Sequence, residues 1–326
     1  MKTFISSTRR AFILFAAFAI TSSASTFATD QTTVEKKLKS VGILMGDLGN
    51  PLLVYMSDAA AHKIKELCGP DTKITTLSCG YDLNTQSNQI ENLISAQTDL
   101  IILNAADSKS IAPAVRKAKE AGVIVIAMDV SAEGGVDATV MSNNVEAGRQ
   151  AGQYIVDRLK GKGDVVIING PPVSSIIDRV NGIQSVFKAN PGIKVLSFEQ
   201  NGGASRDGGY RVMSDLLQEF PKIDAVFAIN DPTAIGAALS SDQAGRKEFF
   251  IVGVDGAAEV QVALKNKANL IAASPAQDFP GLGSNSAQIG YDIFNGKKPD
   301  NPTILIPVQL LTKDNINDYK GPLSAK

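Results

Sequence analysis

Two apolar runs in this chain end on a carboxylate: VIVIAMD at Asp129 and FFIVGVDG at Asp255. A third, AVFAIN, ends on Asn230. Asn50 follows the run SVGILMG and stands just before Pro51, Arg179 lies in IIDRVNG beyond the run DVVIING, and Gln277 closes NLIAASPAQ. Carboxylates accept hydrogen bonds, a guanidinium donates them and amides do both, so such a set suits a small molecule rich in hydroxyl groups. Bonds of this charge-assisted kind are worth roughly 1.5–3 kcal/mol each. Each residue alone has a plainer explanation. Asn50 fits the N-cap of the next helix, the two aspartates fit caps of the turns that follow them, Arg179 fits a surface ion pair and Gln277 a solvated loop. What those explanations leave out is the shared position of all six at the ends of strands.

No catalytic constellation accompanies them. The single histidine, His62, stands in the helical stretch AAAHKIKE with no Ser or Cys partner in a motif, which makes it a surface or packing residue. There is no G-x-S-x-G elbow, no Walker A sequence and no clustered Cys/His spacing, and NGGASRDGG does not fit G-x-G-x-x-G after a strand. The expectation is a binding protein without metal or cofactor, not an enzyme. The charge balance, 32 basic against 33 acidic residues with a net charge of −1, gives no footprint for nucleic acid or an anionic membrane.

The elements that must position these residues alternate. SVGILMG, KITTLS, DLIILNA and VIVIAMD read as strands separated by helices starting near Leu52, over TQSNQIENLISAQ and over 109–121. The pattern pauses at SAEGGVDATVMSNN. It resumes with the helix VEAGRQAGQYIVDRLKG and the strands DVVIING, IKVLSFEQ, AVFAIN, FFIVGVDG and NLIAASPAQ, again with helices between. A last helix over about 281–295 precedes the strand TILIPVQLL and a polar tail. Nearly continuous apolar strands joined by helices indicate parallel sheets covered on both faces. Ligands of such sheets bind outside the carboxyl ends of the strands. Two copies of the device predict an α/β protein of two similar lobes, with two carboxylate-tipped rims forming a clamp.

Residues 1–28 read as a signal peptide. Lys2, Arg9 and Arg10 precede the short apolar core AFILFAAFAI, and Thr26-Phe27-Ala28 supplies a cleavage site. No cysteine follows that core to carry a lipid, and residues 29–39 read as a flexible lead-in. Secretion makes Cys68 and Cys79 candidates for a disulfide. The intervening strand KITTLS, at roughly 3.3 Å per residue, holds them too far apart, and two free, buried thiols are expected.

From Lys39 to about Asp314 the chain resembles the periplasmic sugar-binding proteins of ABC importers, the ribose-binding type in particular. The resemblance rests on GNPLLVYM, VIVIAMD, the DRVNG run, VFAINDPTAIGA, IVGVDG and SPAQD, in that order. It implies two Rossmann-like lobes joined by a three-segment hinge near Ser142–Asn144, Ser274–Gln277 and Ile306–Val308. The lobes would comprise 40–142 plus 277–306 and 143–276 plus 307–326. The family's polar ligand contacts carry over onto Asn50, Asp129, Arg179, Asn230, Asp255 and Gln277, with Asp47, Leu53, Tyr81 and Val130 as further candidates. The implied function is capture of a small carbohydrate or polyol in the periplasm, by a monomer, for delivery to a membrane ABC permease.

The chain departs from that pattern at its apolar contacts. Leu52, Leu53, Ala204 and Val254 stand where ribose binders commonly have phenylalanines, and Val130 replaces a second arginine. The polar skeleton without the aromatic sandwich ranks a four- to six-carbon sugar alcohol slightly above an unusual pentose or hexose, with Tyr81 or Phe279 able to supply one ring. Competing readings are delivery of ligand to a chemoreceptor, a repressor-type effector domain, and a secreted α/β enzyme. The signal peptide and the charge balance speak against the repressor.

Overall fold

The computed structural model describes residues 36–321. The expected signal peptide, its cleavage site, residues 29–35 and the last five residues lie outside the described residues. The end of the expected lead-in is tied down rather than loose. Leu38 is buried, the Lys36 amide donates to Asn295 Oδ1 at 2.6 Å, and the Lys39 amide donates to Asp99 Oδ2 at 2.6 Å.

The chain runs β1 (Ser40–Met45), α1 (Pro51–Cys68), β2 (Lys73–Ser78), α2 (Leu83–Ser95), β3 (Leu100–Leu103), α3 (Ala112–Glu120), β4 (Ile124–Met128) and β5 (Ala138–Ser142). It continues with α4 (Asn144–Arg158), β6 (Gly163–Ile168), α5 (Ser174–Ala189), β7 (Ile193–Ser197), α6 (Arg206–Glu219), β8 (Ala225–Ala228) and α7 (Asp231–Gln243). It ends with β9 (Phe250–Val252), α8 (Ala258–Lys265), β10 (Ile271–Ala276), α9 (Phe279–Phe294), β11 (Thr303–Ile306) and β12 (Gln309–Thr312). The strands form two six-stranded sheets, ordered β11-β5-β4-β3-β1-β2 and β12-β10-β9-β8-β6-β7. All pairings are parallel except β12 against β10. This is the expected α/β class, a two-lobed fold with one sheet in each lobe.

Two elements were not legible in advance. The pause after Asp129 contains β5, five buried residues of mixed character (ATVMS) behind the Gly134-Gly135 turn. The run TILIPVQLL is two strands, not one. Pro307 cannot donate to a ladder, and the chain leaves the first sheet there to enter the second. Both thiols are free and buried, Cys68 at the end of α1 and Cys79 past β2.

The two-residue period of a strand decides which core each side chain joins. Ile101, Leu103, Val125 and Ala127 face one cluster, and Leu100, Ile102, Ile126 and Met128 face another on the opposite side of the same sheet. In the second sheet Val165, Ile167 and Phe227 join the first of these clusters, while Val166, Ile168 and Val226 face a third. The shared cluster runs continuously from one lobe into the other.

Close helix packing delivers Arg179. α4 and α5 meet through Gly148 and Gly182. A Cβ on Gly148 would lie 2.0 Å from the Arg179 carbonyl oxygen, and one on Gly182 would lie 2.2 Å from that of Val145. Backbone cannot give way as a flexible side chain would. Gly148→Ala should therefore push α5 away and cost about 1–3 kcal/mol, the usual range for overpacking. At about 2–4 °C per kcal/mol for a chain of this class, thermal unfolding should show the loss directly. An unchanged midpoint would mean that α4 and α5 are not held at this distance in solution.

Candidate functional site

In both sheets the strand order reverses beside the first strand of the lobe, between β1 and β3 and between β6 and β8. Such switch points leave a crevice at the carboxyl ends of the strands. Here the two crevices face each other over an inner pocket of about 30 Å³, lined from both lobes. The first lobe contributes Asn50, Leu53, Tyr81, Asp129, Val130 and Phe279, and the second contributes Val173, Ser175, Ile176, Arg179, Ala204, Asn230 and Asp255. An outer cleft of about 420 Å³ adjoins it, sharing Asn50 and Ala204.

Asp255 and Arg179 form the polar centre. Asp255 follows β9 with φ of 130°, a conformation that L-residues rarely adopt and that its surroundings must hold. Its amide donates to Pro275 O at 2.9 Å and its carbonyl accepts from the Gln277 amide at 3.0 Å. Its Oδ1 accepts from Gln277 Nε2 at 2.6 Å and lies 3.3 Å from Arg179 Nη1. Arg179 Nε also donates to Asn144 Oδ1 at 2.9 Å, and Nη1 donates to Ile229 O at 2.8 Å. Arg179, which fits an ordinary surface if taken alone, is 4% exposed.

Asp129 is the counterpart in the first lobe. It follows β4 with φ of 69°. Asn104, at the end of β3, donates through Nδ2 to Asp129 Oδ2 at 3.0 Å and to Met128 O at 3.2 Å, while accepting from the Gly46 amide through Oδ1 at 3.0 Å. Asp129 Oδ1 is buried with no hydrogen-bond partner among the described residues, and so is Gln277 Oε1. A buried acceptor left in this state is costly unless something donates to it. Two such atoms lie in the cleft's polar network, each with capacity to accept a hydrogen bond.

Burial dominates the ionisation of this cluster. Desolvation pushes Asp255 up to about 6; Arg179 opposes the shift and Asp129 adds to it. Asp129 is raised for the same first reason, against Arg179 and Asn104. The phenol of half-buried Tyr81 is raised by desolvation and then by Asp129, Asp47 and Asp255.

Five of the six polar residues read from the sequence line the inner pocket, and Gln277 adjoins it through Asp255. Asn50 and Asn230 are also the helix caps that the plainer explanation supposed. Asn50 Oδ1 accepts from the Leu52 amide, and Asn230 Oδ1 accepts from the Thr233 amide. Asn230 spends its Nδ2 on Ala204 O at 3.0 Å as well, so its side chain shapes the wall. Leu53, Tyr81 and Val130 line the pocket; Asp47 does not, but faces the outer cleft with Oδ1 accepting from the Gly49 amide. Leu52 also belongs to the outer cleft, and Val254 is buried in the core away from both. Both pocket rings, Tyr81 and Phe279, come from the first lobe, so no sandwich spans the cleft.

Asn104, Ser175, Ile176 and Asp231 escaped the sequence reading. Asn104 carried the signal that found Asn230, an amide closing an apolar strand. Ser175 and Ile176 carried none, since only folding brings the first turn of α5 to the pocket. Asp231 is fully buried and supports the Asp255 loop, accepting from Ser274 Oγ and from the Ala257 amide, each at 2.7 Å. Burial and the neighbouring Asp255 raise it well above the usual carboxylate range. Of the described residues, no group of His, Cys, Asp and Glu is placed to hold a metal ion, and no helix is long and apolar enough to cross a membrane. His62 is exposed.

Two mostly parallel sheets whose binding ends share one polar pocket define a two-lobed α/β binding protein. The chain belongs to the periplasmic binding protein family, whose domain model matches residues 41–298. It is 30% identical over 289 residues to the ribose import binding protein RbsB of Bacillus subtilis (strain 168), covering 88% of this chain and 92% of that one. It is 32% identical over 243 residues to the xylitol-binding protein of Mycolicibacterium smegmatis, covering 74% and 68%. Among solved structures, an ABC transporter solute-binding protein from Bacillus halodurans with bound myo-inositol superposes with a TM-score of 0.80 at 25% identity, covering 88% of this chain and 99% of that one. The resemblance read from the motifs is borne out.

The raised carboxylates set a pH dependence with opposite signs for folding and binding. Asp129 and Asp255 hold protons in the folded state that the unfolded chain has released, so their contribution to ligand-free stability falls as pH rises above the ordinary carboxylate range, for Asp255 from about 4 through about 6. Ligand hydroxyls donating to ionised carboxylates favour the deprotonated site, so affinity should rise over the same window. Asp82, Asp107, Asp224 and Glu248 are lowered and tilt stability the other way, so the measurement is wild type minus Asp255→Asn. Both pH slopes should flatten in the variant. Identical profiles for the two proteins between pH 4 and 7 would remove Asp255 from this role.

Proposed function

We propose that this protein captures a small sugar or sugar alcohol between its lobes in the periplasm and delivers it to an ABC permease. It acts as a monomeric binder, not an enzyme. The observation that carries the reading is the pair of buried, unpartnered acceptors, Asp129 Oδ1 and Gln277 Oε1, beside the Arg179–Asp255 pair. A polyhydroxylated molecule donates to the acceptors and accepts from the guanidinium at once. Ligand contacts are assigned to Asn50, Asp129, Arg179, Asp255 and Gln277, with Tyr81, Phe279, Leu53, Val130 and the Asn230 wall completing the enclosure.

The crossings at 142–144, 274–277 and 306–308 serve as the hinge between the lobes 40–142 plus 277–306 and 143–276 plus 307–326. An inner pocket of about 30 Å³ is far below the roughly 300–1,000 Å³ of ordinary small-molecule sites, so admission requires the lobes to part. A ligand that touches both lobes then stabilises the closed state by its differential affinity.

Within this class a four- to six-carbon sugar alcohol is the preferred ligand. The second lobe offers Val173, Ile176 and Ala204 to the pocket and no ring, which gives a pyranose face nothing to stack on from that side. A flexible polyol loses more torsional freedom on binding, and directed hydrogen bonds must offset that. Similarity to a xylitol-binding protein agrees with this choice.

The test is a thermal-shift panel followed by calorimetry, setting tetritols, pentitols and hexitols against ribose, xylose, galactose and myo-inositol. At least one acyclic polyol should bind with the best affinity, and small-angle scattering at saturation should show a smaller radius of gyration than the free protein. Tight binding of a pyranose with no response to any polyol would overturn the ligand choice alone. No binding across the panel would count against carbohydrate capture itself.

A further inference from the structure

The helix that carries Arg179 begins without a cap of its own. The residue preceding α5 is Val173, and no side chain of that segment caps the first turn. The first N–H groups of a helix have no intrahelical acceptor and need one from elsewhere. Here it comes from across the cleft: Ser108 Oγ, beyond β3 in the first lobe, accepts from the Ser174 amide at 2.9 Å. Ser174 returns the contact, its Oγ accepting from the Ser131 amide, beyond β4 of the first lobe, at 2.7 Å. The two first-lobe loops are themselves joined, since the Glu133 amide donates to Ser108 O at 2.8 Å.

These bonds are shielded. Ser108 is buried, and Val130 and Ala132 of the first lobe pack into one cluster with Val173 and Ile176 of the second. Neither Ser108 nor Ser174 lines the inner pocket, but Ser175, Ile176 and Arg179 do, all within two turns of the borrowed cap. Parting the lobes removes the acceptor from α5 and the hydroxyl from the Ser131 amide together. Water can replace both, but less favourably than a partner already held in place.

We propose that Ser108 and Ser174 form a latch in which the first lobe caps the Arg179 helix only when the cleft is closed. Both are positioning residues: they set the closed population and the placement of Arg179 without touching ligand. This rests on the reading of the protein as a hinge-closing binder.

Ser108→Ala and Ser174→Ala test it in the full-length mature protein by two measurements. Hydrogen exchange on the protein saturated with erythritol, ribitol or ribose, whichever wild type binds, should show the Ser131 amide exchanging about three- to tenfold faster in both variants, and the Ser174 amide likewise in Ser108→Ala, the scale of one neutral hydrogen bond. Stopped-flow binding of erythritol, ribitol or ribose, whichever wild type binds, should show an off-rate raised about three- to tenfold with the on-rate within twofold. A local packing defect would not produce that split together with faster exchange on the opposite lobe. Exchange and off-rate within twofold of wild type in both variants would overturn the latch. If wild type binds none of the three probes, carbohydrate capture is what fails; the closed arrangement is then the resting state, and the same exchange comparison made on the ligand-free protein decides the latch.

Discussion

The buried guanidinium of Arg179 is the constraint on which the rest of the site depends. It holds together the start of α4 through Asn144, the end of β8 through the Ile229 carbonyl, and the loop after β9 through Asp255. A charge this deep is tolerated only with partners in good geometry. Stripping one partner from a buried pair typically costs about 3–5 kcal/mol, because the other charge stays behind. The glycines at 148 and 182 follow from the same need, since they let α5 approach α4 closely enough for Arg179 to reach Asn144.

Around that cation the protein keeps three buried aspartates, Asp129, Asp231 and Asp255. They differ in what occupies their oxygens. Both oxygens of Asp231 are used inside the protein, to brace the loop that carries Asp255. Asp129 has one oxygen on Asn104 and one with no protein partner among the described residues. Asp255 is shared between Arg179 and Gln277. This gradation, from fully satisfied to half satisfied, separates the residue that builds the site from those left with capacity for a ligand. The positive φ angles at Asp129 and Asp255 belong to the same design, as unfavourable backbone conformations held by ladder-like bonds to neighbouring strands.

The two lobes use one topology twice, yet they are not equivalent at the pocket. The first supplies both rings and the half-satisfied Asp129; the second supplies the guanidinium, the aliphatic wall and most of the internal bracing. The apolar cluster that continues from one lobe to the other packs Val130 and Ala132 with Val173 and Ile176. Hydrophobic contact between the lobes and the polar contacts around the pocket therefore act in the same direction.

Much of this was legible in the amino-acid order because strands of a parallel sheet are apolar on both faces and end abruptly. A polar residue closing such a run must lie at the rim, which is how Asn50, Asp129, Asn230, Asp255 and Gln277 could be picked out. The same logic reached the α/β class, the doubled lobe and the free thiols. It could not reveal how deep the rim would be. Asp129 and Asp255 read as strand ends at a rim, and they are 8% and 2% exposed, because the facing lobe covers them. Burial by a distant segment leaves no local trace. For the same reason Asp47, beside the end of β1, and Val254, placed by the resemblance, stand outside the pocket, while Ser175 and Ile176 line it without any pattern. β5 was missed because five residues of mixed polarity gain their strand only from neighbours on both sides. Local order determined which residues end the strands; only the meeting of two sheets, through contacts far apart in the chain, decided which of those ends share one desolvated space.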